Sequence, residues 1–547
     1  MMQKYIEAEL QASCSAAGLQ IDLPIPFGVP KQEGHGHLST NIAMMHAKAI
    51  GKQPRALAQE IVDGVAASPL IAKLEVAGPG FINVTFSDAV YHAMLRDLNL
   101  LGDEIGRSDA GKGRTANIEY VSANPTGPLH AGHGRNCSVG DTIANLLAWN
   151  GFAVTREYYF NNAGNQMNML GKSIYVRLQH ALGNQDVEFP EDGYHGEYIQ
   201  EIAAALANEH GEQLRAMSTD DAMAFCRKAG EAWCFESIKR TLNALNIHHD
   251  VYFNEDSLYG SGKVAATVEA LRQRGLVYEK DGATWFALTQ VGNPQDKVII
   301  KSTGEPTYRL PDIAYHRDKL ERGFDTVVDI FGADHIATVP DVLAGVKALG
   351  FDTDRVRVVI HQMVTFVEDG QVVKFSKRSG KSFTLDDLIE EVGADVVRFF
   401  FIMRAVGTHL EFDLGLAKEE GDRNPVFYLQ YAHARICSIL RKAHERGVTL
   451  NTEADLSVLS HDREIELISM LSRFRSTVER AADNLEPHVI AEFLRDLAGA
   501  YHNFYHDCRI LGAEPPLESA RLLLADVTRR AMRNGLLILG VGTPDRM

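Results

Sequence analysis

The chain runs to 547 residues, 45% of them hydrophobic and 23% charged, enough for three or four domains with substantial cores. No apolar run approaches the roughly 20 residues of a membrane span, and the opening Met1 to Glu7 reads as an amphipathic helix rather than a signal peptide, so a cytoplasmic protein is expected. A net charge of −17 stands against a nucleic-acid partner unless basic residues gather on one part of the chain.

Residues 1–112 read as a first module, with an opening helix, a helical stretch over about 38–66, and a segment 74–86 that ends in period-two alternation. Ser108-Asp109-Ala110-Gly111-Lys112-Gly113 has the composition of a linker. Over 113–386, apolar strands such as 326–331 and 357–360 alternate with helices, which predicts an α/β domain built on a doubly wound parallel sheet. In such sheets ligands sit outside the carboxyl ends of the strands. An Ala-rich helical stretch over about 164–249 reads as an insertion between its two halves. Residues 387–423, with Asp395, Arg398 and His409, form a connector, and 424–547 an all-helical domain. That last segment holds 15 basic against 16 acidic residues, so it carries almost none of the −17 and leaves room for an Arg-rich face.

Two segments carry the chemistry. A strand over 116–121 ends in Ser122-Ala123-Asn124-Pro125-Thr126-Gly127-Pro128, after which His130-Ala131-Gly132-His133 opens a helix over 134–149. A helix start offers free N–H groups and the positive end of the dipole to an anion. The two histidines share a face, and Gly132 lets a base or ribose approach closely, so ATP phosphates fit. About 240 residues on, Gly370 to Lys381 carries Lys374, Lys377, Arg378 and Lys381, mobile cations suited to charge developing on a departing pyrophosphate. Either segment alone is weak, since a basic Ser/Gly loop is usually a solvated turn. Together, in this order and around an α/β pattern, they are specific.

Elsewhere, Tyr308 and Asp312 lie four apart; the bland alternative makes Asp312 the cap of a helix beginning at Ile313. Tyr428, Tyr431 and Arg435 line one side of a helix, where they suit unstacked bases or simply pack a bundle. Six cysteines without CxxC spacing read as free thiols in a reducing compartment and speak against a structural zinc.

His130 to His133 resembles the HIGH motif of class I aminoacyl-tRNA synthetases, and Lys374-Phe375-Ser376-Lys377-Arg378 their KMSKS loop, with Phe375 where methionine is usual. The run from Glu119 to His130 is similar to the arginyl-tRNA synthetase version of that strand. Tyr308-x-x-x-Asp312, the run from Asn424 to Arg435, and Ser519-Ala520-Arg521-Leu522 resemble further signatures of the same family, the last being its DALR element with serine for aspartate, a change that bears on a helix cap. The resemblance implies a class I Rossmann-like catalytic domain, an α+β N-terminal domain reaching the tRNA elbow and D-loop, and an all-α anticodon-binding bundle, with the insertion at the acceptor stem. It implies an arginine–tRNA ligase acting on L-arginine, ATP and tRNA(Arg), with Mg²⁺ accompanying ATP, no metal site of its own, and activation that needs bound tRNA; a monomer is expected.

Carried over by position, His130, His133, Lys374, Ser376 and Lys377 would be catalytic. Pro128, Gly132, His133, Gly332, Asp334, His335, Met363, Val364 and Lys377 would bind ATP. Tyr308 and Asp312 would grip the guanidinium, Glu119, Ser122 and Asn124 would hold the amino-acid end, and His133 would touch arginine as well. Tyr428, Tyr431, Arg435 and Met547 would face tRNA. The chemistry of arginine asks independently for two carboxylates around a planar five-donor fork, here Glu119 and Asp312. A pocket of that kind rejects lysine and neutral isosteres, so no editing domain is expected. A stand-alone HxGH nucleotidylyltransferase would lack the helical C-terminal domain, and a non-catalytic tRNA-binding relative would have lost a histidine or the lysine.

Overall fold

The computed structural model describes residues 2–21, 23–30, 34–373 and 383–547. The expected loop residues Lys374, Ser376 and Lys377 lie outside the described residues.

The first module contains α1 (Glu7–Ala16), β1 (Leu38–Thr40), α2 (Ile42–His46), α3 (Pro54–Gly64), β2 (Ile71–Ala77), β3 (Phe81–Phe86) and α4 (Ala89–Leu101). Residues 38–40 are a strand, not the start of a helix. Leu38 and Thr40 bury alternate side chains, and β1 pairs antiparallel with β3 in the order β1-β3-β2. Helix starts only later, and α3 opens on Pro54, whose fixed φ suits a first turn.

The central domain contains β4 (Thr115–Glu119), α5 (His133–Trp149), β5 (Ala153–Phe160), three helices α6 (Gly164–Ala181), α7 (Glu197–Ala216) and α8 (Thr219–Ala244), then β6 (Val251–Asn254), α9 (Asp256–Gly260) and α10 (Lys263–Gln273). A small meander β7 (Val277–Lys280), β8 (Ala283–Phe286), β9 (Lys297–Ile300) precedes α11 (Arg309–Glu321), β10 (Thr326–Gly332), α12 (Val339–Ala348) and β11 (Val356–His361). Strands β11-β10-β4-β5-β6 form one parallel sheet. Its middle strands β4 and β10 are buried along most of their length, with Asn117, Glu119 and Asp329 set among apolar residues, because both faces of the sheet are covered. The order reverses between β4 and β10, so the cleft outside their carboxyl ends is the expected ligand site. Helices α6 to α8 enclose a hydrophobic core of their own.

Strand β4 stops two residues before the sequence suggested. Val121 and Ser122 adopt φ of 69° and 44°, left-handed backbone that side chains rarely accept and that throws the chain out of the sheet toward the cleft.

Beyond the sheet come β12 (Val364–Glu368), β13 (Gln371–Val372), α13 (Leu385–Val392), α14 (Ala394–Ile402), β14 (Leu410–Asp413) and α15 (Leu414–Ala417). The last domain is a bundle of α16 (Pro425–Glu445), α17 (Asp462–Ser472), α18 (Phe474–Asn484), α19 (His488–Asp507) and α20 (Pro515–Leu539). Buried Arg398 joins the parts, donating to Asp141 Oδ2 of α5 at 2.5 Å, to the Leu245 carbonyl beyond α8 at 2.8 Å and to the Leu539 carbonyl of α20 at 3.0 Å. Ser519 lies inside α20 rather than at its start, so the serine-for-aspartate change touches no cap. Glu518 accepts the Gly512 N–H at 2.6 Å beside that helix start, and Arg521 ties α20 to Glu464 of α17 at 2.6 Å.

Candidate active site

The cleft is floored by charge. The inner face of α11 presents Tyr315, His316 and Lys319, with Arg322 just beyond the helix end, a spacing that keeps all four on one side. Tyr315 donates to Glu157 Oε1 at 2.6 Å, and Arg322 forks onto both oxygens of that carboxylate at 2.6 and 2.8 Å. His316 Nε2 meets Asp329 Oδ2 at 2.9 Å; Lys319, fully buried, donates to Asp329 Oδ1 at 2.6 Å and to Glu119. The three carboxylates come from β5, β10 and β4, so one helix face is keyed to three strands. Burial opposes a charged Lys319, yet Asp329 and Glu119 outweigh it and hold the ammonium above its usual range.

One turn before this ladder, Asp312 enters a cavity of about 610 Å³ at the carboxyl ends of β4 and β10. Helix α11 begins at Arg309, so Asp312 lies within its first turn and caps nothing. Burial first, then the charges of Glu119 and Glu255, raise its carboxyl to about 7. Glu119, Ser122, Asn124, Glu255, Tyr308 and Asp312 line one end of the cavity. Ser122 donates to Glu119 Oε1 at 3.0 Å and accepts the Tyr159 N–H at 3.1 Å; Asn124 accepts from the Asn161 N–H at 3.0 Å. Tyr308 is 81% exposed at the cavity edge. Glu255, which the sequence did not single out, accepts the Tyr159 hydroxyl at 2.7 Å. Its one sequence signal is its place just after an apolar strand, hidden by the long helical insertion.

His130, Gly132, His133, Gly332, Asp334 and His335 line the other end, while Pro128, Met363 and Val364 lie off the cavity wall. The two imidazoles stack with centroids 3.7 Å apart. The His130 N–H donates to His133 Nδ1 at 3.1 Å, so His133 carries its hydrogen on Nε2. Burial lowers both, His133 to about 3 with help from His130 and His361. Both are therefore neutral donors at pH 7, and charge for an anion must come from elsewhere. Asn136, also missed by sequence, accepts the Val121 N–H at 2.6 Å and donates to the Ile330 carbonyl at 2.9 Å, pinning the left-handed turn against α5 and β10. Chain segments far apart in sequence meet here: the Ala131 N–H donates to the Phe383 carbonyl at 3.1 Å, and the Leu385 N–H to the Leu129 carbonyl at 2.8 Å.

On the bundle, the Arg435 guanidinium lies 4.6 Å from the ring centroid of Tyr431 and 5.0 Å from that of Tyr505, over a concavity that also includes Arg546 and Met547. Tyr428 is not in its wall; it is half-buried against His502. His433 Nδ1 bonds the Pro544 carbonyl at 3.0 Å, and the Cys437 thiol donates to Asp545 at 3.4 Å, which ties down the C-terminal tail. All six cysteines are free thiols.

Three family models match the chain: "Arginyl tRNA synthetase N terminal domain" over 2–86, "tRNA synthetases class I (R), catalytic domain" over 98–398, and "DALR anticodon binding domain" over 429–547. Among curated proteins, the arginine–tRNA ligase of Salinibacter ruber is 49% identical, with 100% of each chain covered. That of Desulfotalea psychrophila is 47% identical over 95% of this chain and 94% of its own. The solved arginyl-tRNA synthetase of Thermus thermophilus superposes with a TM-score of 0.73 at 21% identity, covering all of both chains, a likeness of fold.

The buried ladder makes a definite prediction. Lys319→Met leaves Glu119 without its cation and Asp329 with His316 alone, and should cost about 3–5 kcal/mol in urea unfolding at neutral pH. Burial raises the Asp329 carboxyl but Lys319 and His316 overrule it, holding it below its usual value, so its contribution is present at neutral pH and lost as pH falls through the acid range. The gap between wild type and variant should narrow below about pH 4. A gap that stays constant into acid would show that the ladder is not electrostatic.

Proposed function

The chain belongs to the arginyl-tRNA synthetases, and we propose that its cavity holds L-arginine and ATP end to end, forms arginyl-adenylate, and passes the arginyl group to the terminal adenosine of tRNA(Arg). It is an ATP-dependent arginine–tRNA ligase of class I.

The observation that carries the assignment of the amino-acid end is the charge imbalance there. Glu119 is met by Lys319, whereas no cation among the described residues pairs with Asp312 or Glu255. A guanidinium, permanently charged and planar, matches two such acceptors, and Tyr308 at the rim can close over it. Lysine offers a point charge that cannot bridge both, and a neutral isostere leaves the carboxylates unpaired. Ser122 and Asn124 hold the α-amino and carboxylate end near the left-handed turn.

In the first step a carboxylate oxygen of arginine bonds to the α-phosphorus of ATP, and the bond from that phosphorus to the bridging oxygen breaks, releasing pyrophosphate. His130 and His133 donate hydrogen bonds to phosphate oxygens as neutral groups, and Gly332, Asp334 and His335 hold the nucleoside. Lys374, Ser376 and Lys377 meet the pyrophosphate. Mg²⁺ bound to ATP supplies neutralising charge that the two imidazoles lack. In the second step the 2′-hydroxyl of the terminal adenosine attacks the carbonyl and AMP leaves. Catalysis is positioning and charge stabilisation throughout.

Residues 1–112 are assigned to the tRNA elbow, 113–386 to catalysis with 164–249 at the acceptor stem, 387–423 to the connector, and 424–547 to the anticodon loop through Tyr431, Arg435 and Met547. A monomeric enzyme of the cytoplasm is proposed, and no helix among the described residues is long and apolar enough to cross a membrane.

Arginine is cationic at every relevant pH, so it selects the ionised form of Asp312. Its affinity should be flat above pH 7 and fall about tenfold per unit below it, with proton uptake into buffer on binding. Titration calorimetry in two buffers of different ionisation heat checks this, and Asp312→Asn should abolish the dependence while raising KM for arginine and leaving KM for ATP unmoved. Equal weakening of both substrates would make Asp312 structural.

Lys377→Ala should lower kcat of pyrophosphate exchange by on the order of 10² with a smaller change in KM for arginine. Retained kcat would remove the lysine from the mechanism.

Tyr431→Ala should weaken tRNA binding by about 1–3 kcal/mol, the worth of one stacking platform, with little loss of thermal stability because the ring is 38% exposed. Unfolding without a change in tRNA affinity would make the tyrosine a packing residue.

A further inference from the structure

Arg135 is the third residue of α5, two after His133, and its side chain is fully buried. Arginine is seldom buried without an acidic partner. Among the described residues Arg135 has none: its guanidinium donates to the carbonyls of Gln362 at 2.8 Å, Thr408 at 2.9 Å and Ala405 at 3.1 Å. Three neutral acceptors from two separate loops take its two Nη atoms, while the buried Nε has no hydrogen-bond partner among the described residues.

Both loops bear on the basic segment. Gln362 stands between β11 and β12, and Ala405 and Thr408 lead into β14, which pairs parallel with β12 from Val364↔Leu410 onward. From β12 the chain runs through β13 to Val373, the last described residue before Lys374. At the far side of that segment, Phe383 to Leu385 is hydrogen-bonded to Leu129 to Ala131. The residues after the basic segment are thus tied to the HAGH turn by backbone bonds, and the start of the β12–β13 hairpin that leads to it is tied to α5 by one side chain.

We propose that Arg135 is a positioning residue for adenylate formation, locking the loops that open β12 and β14 to the helix that carries His133 and placing a permanent, unneutralised positive charge behind the nucleotide end of the cavity. His361, which lines that end, lies close enough to feel this charge. The charge compensates part of the triphosphate that two neutral imidazoles leave unbalanced. Lysine cannot replace it, because an ammonium on a single stem does not reach three carbonyls in a fixed fork. The inference rests on the adenylate-forming function proposed above.

The test is ATP–pyrophosphate exchange with the full-length enzyme in the presence of tRNA, expressed per active site by burst titration of adenylate. Arg135→Lys should lower kcat by on the order of 10²-fold, as expected for a small displacement of reacting groups, while KM for arginine stays within about twofold. Arg135→Ala should be partly restored by methylguanidinium and not by methylammonium. A residue that only stabilises the fold would reduce the active fraction and leave kcat per site unchanged, and that result overturns the proposal. So does a rise in KM for arginine as large as that for ATP. If Arg135→Ala does not fold, Arg135→Lys alone decides. Failure of the wild type to exchange with arginine would instead overturn the function, so the two failures are distinct.

Discussion

Burying charge is costly unless every charge finds a partner, and the catalytic half of this molecule is organised by one answer to that constraint. A single face of α11 lays Tyr315, His316, Lys319 and Arg322 against Glu157, Asp329 and Glu119 on three strands of the sheet. Sliding or rotating the helix would strand several charges at once. Asp312, one turn earlier on the same face, is therefore held in the cavity by the pairings of its neighbours along α11. Hydrophobic packing of Leu310, Ile313 and Ala314 makes the helix adhere; the ionic ladder determines its register.

The same bookkeeping of charge explains the division of the cavity. At the end lined by Asp312 and Glu255 neither carboxylate pairs with a cation among the described residues, and burial first, then the charges of Glu119 and Glu255, raise the Asp312 carboxyl toward neutrality. At the nucleotide end the imidazoles are uncharged and act as directional donors. In the reading proposed above, positive charge for the phosphates comes from the basic segment and from Arg135, buried behind the start of α5. A substrate that bridges the two ends satisfies both deficits, which is the electrostatic counterpart of joining arginine to ATP.

Distant domains converge on the helix that starts at His133. Midway along it Asp141 receives Arg398, whose other bonds reach the end of the helical insertion and the last turn of α20. At the far end of the bundle the tail is held to α16 through Gln430, His433 and Cys437, which sets Met547 beside Tyr431 and Arg435. The surface assigned to tRNA and the histidines of the cavity are thus connected through α16, α20 and α5, with buried Arg398 at the junction of α5 and α20.

Much of this was legible in the sequence where the chemistry is local. The HAGH turn, the strand before it, the Tyr-x-x-x-Asp segment, the helical insertion and the bundle are each written in contiguous residues, because turn geometry, helix starts and hydrophobic period depend on near neighbours. Glu119 was read as half of the guanidinium pocket; it lines the cavity, and its carboxylate also meets Lys319, a partner 200 positions away that no local pattern announces. Glu255, Asn136 and Arg135 escaped notice for the same reason, their meaning lying in what they touch across the sheet and across the loops. Residues 38–40 became a strand because β3 was there to pair with, and Tyr428 turned toward His502 because α19 packs beside it. The sequence by itself determined which groups could do chemistry; the tertiary structure decided which charges are already neutralised and which still await a substrate, since that balance is set by pairings between segments far apart in the chain.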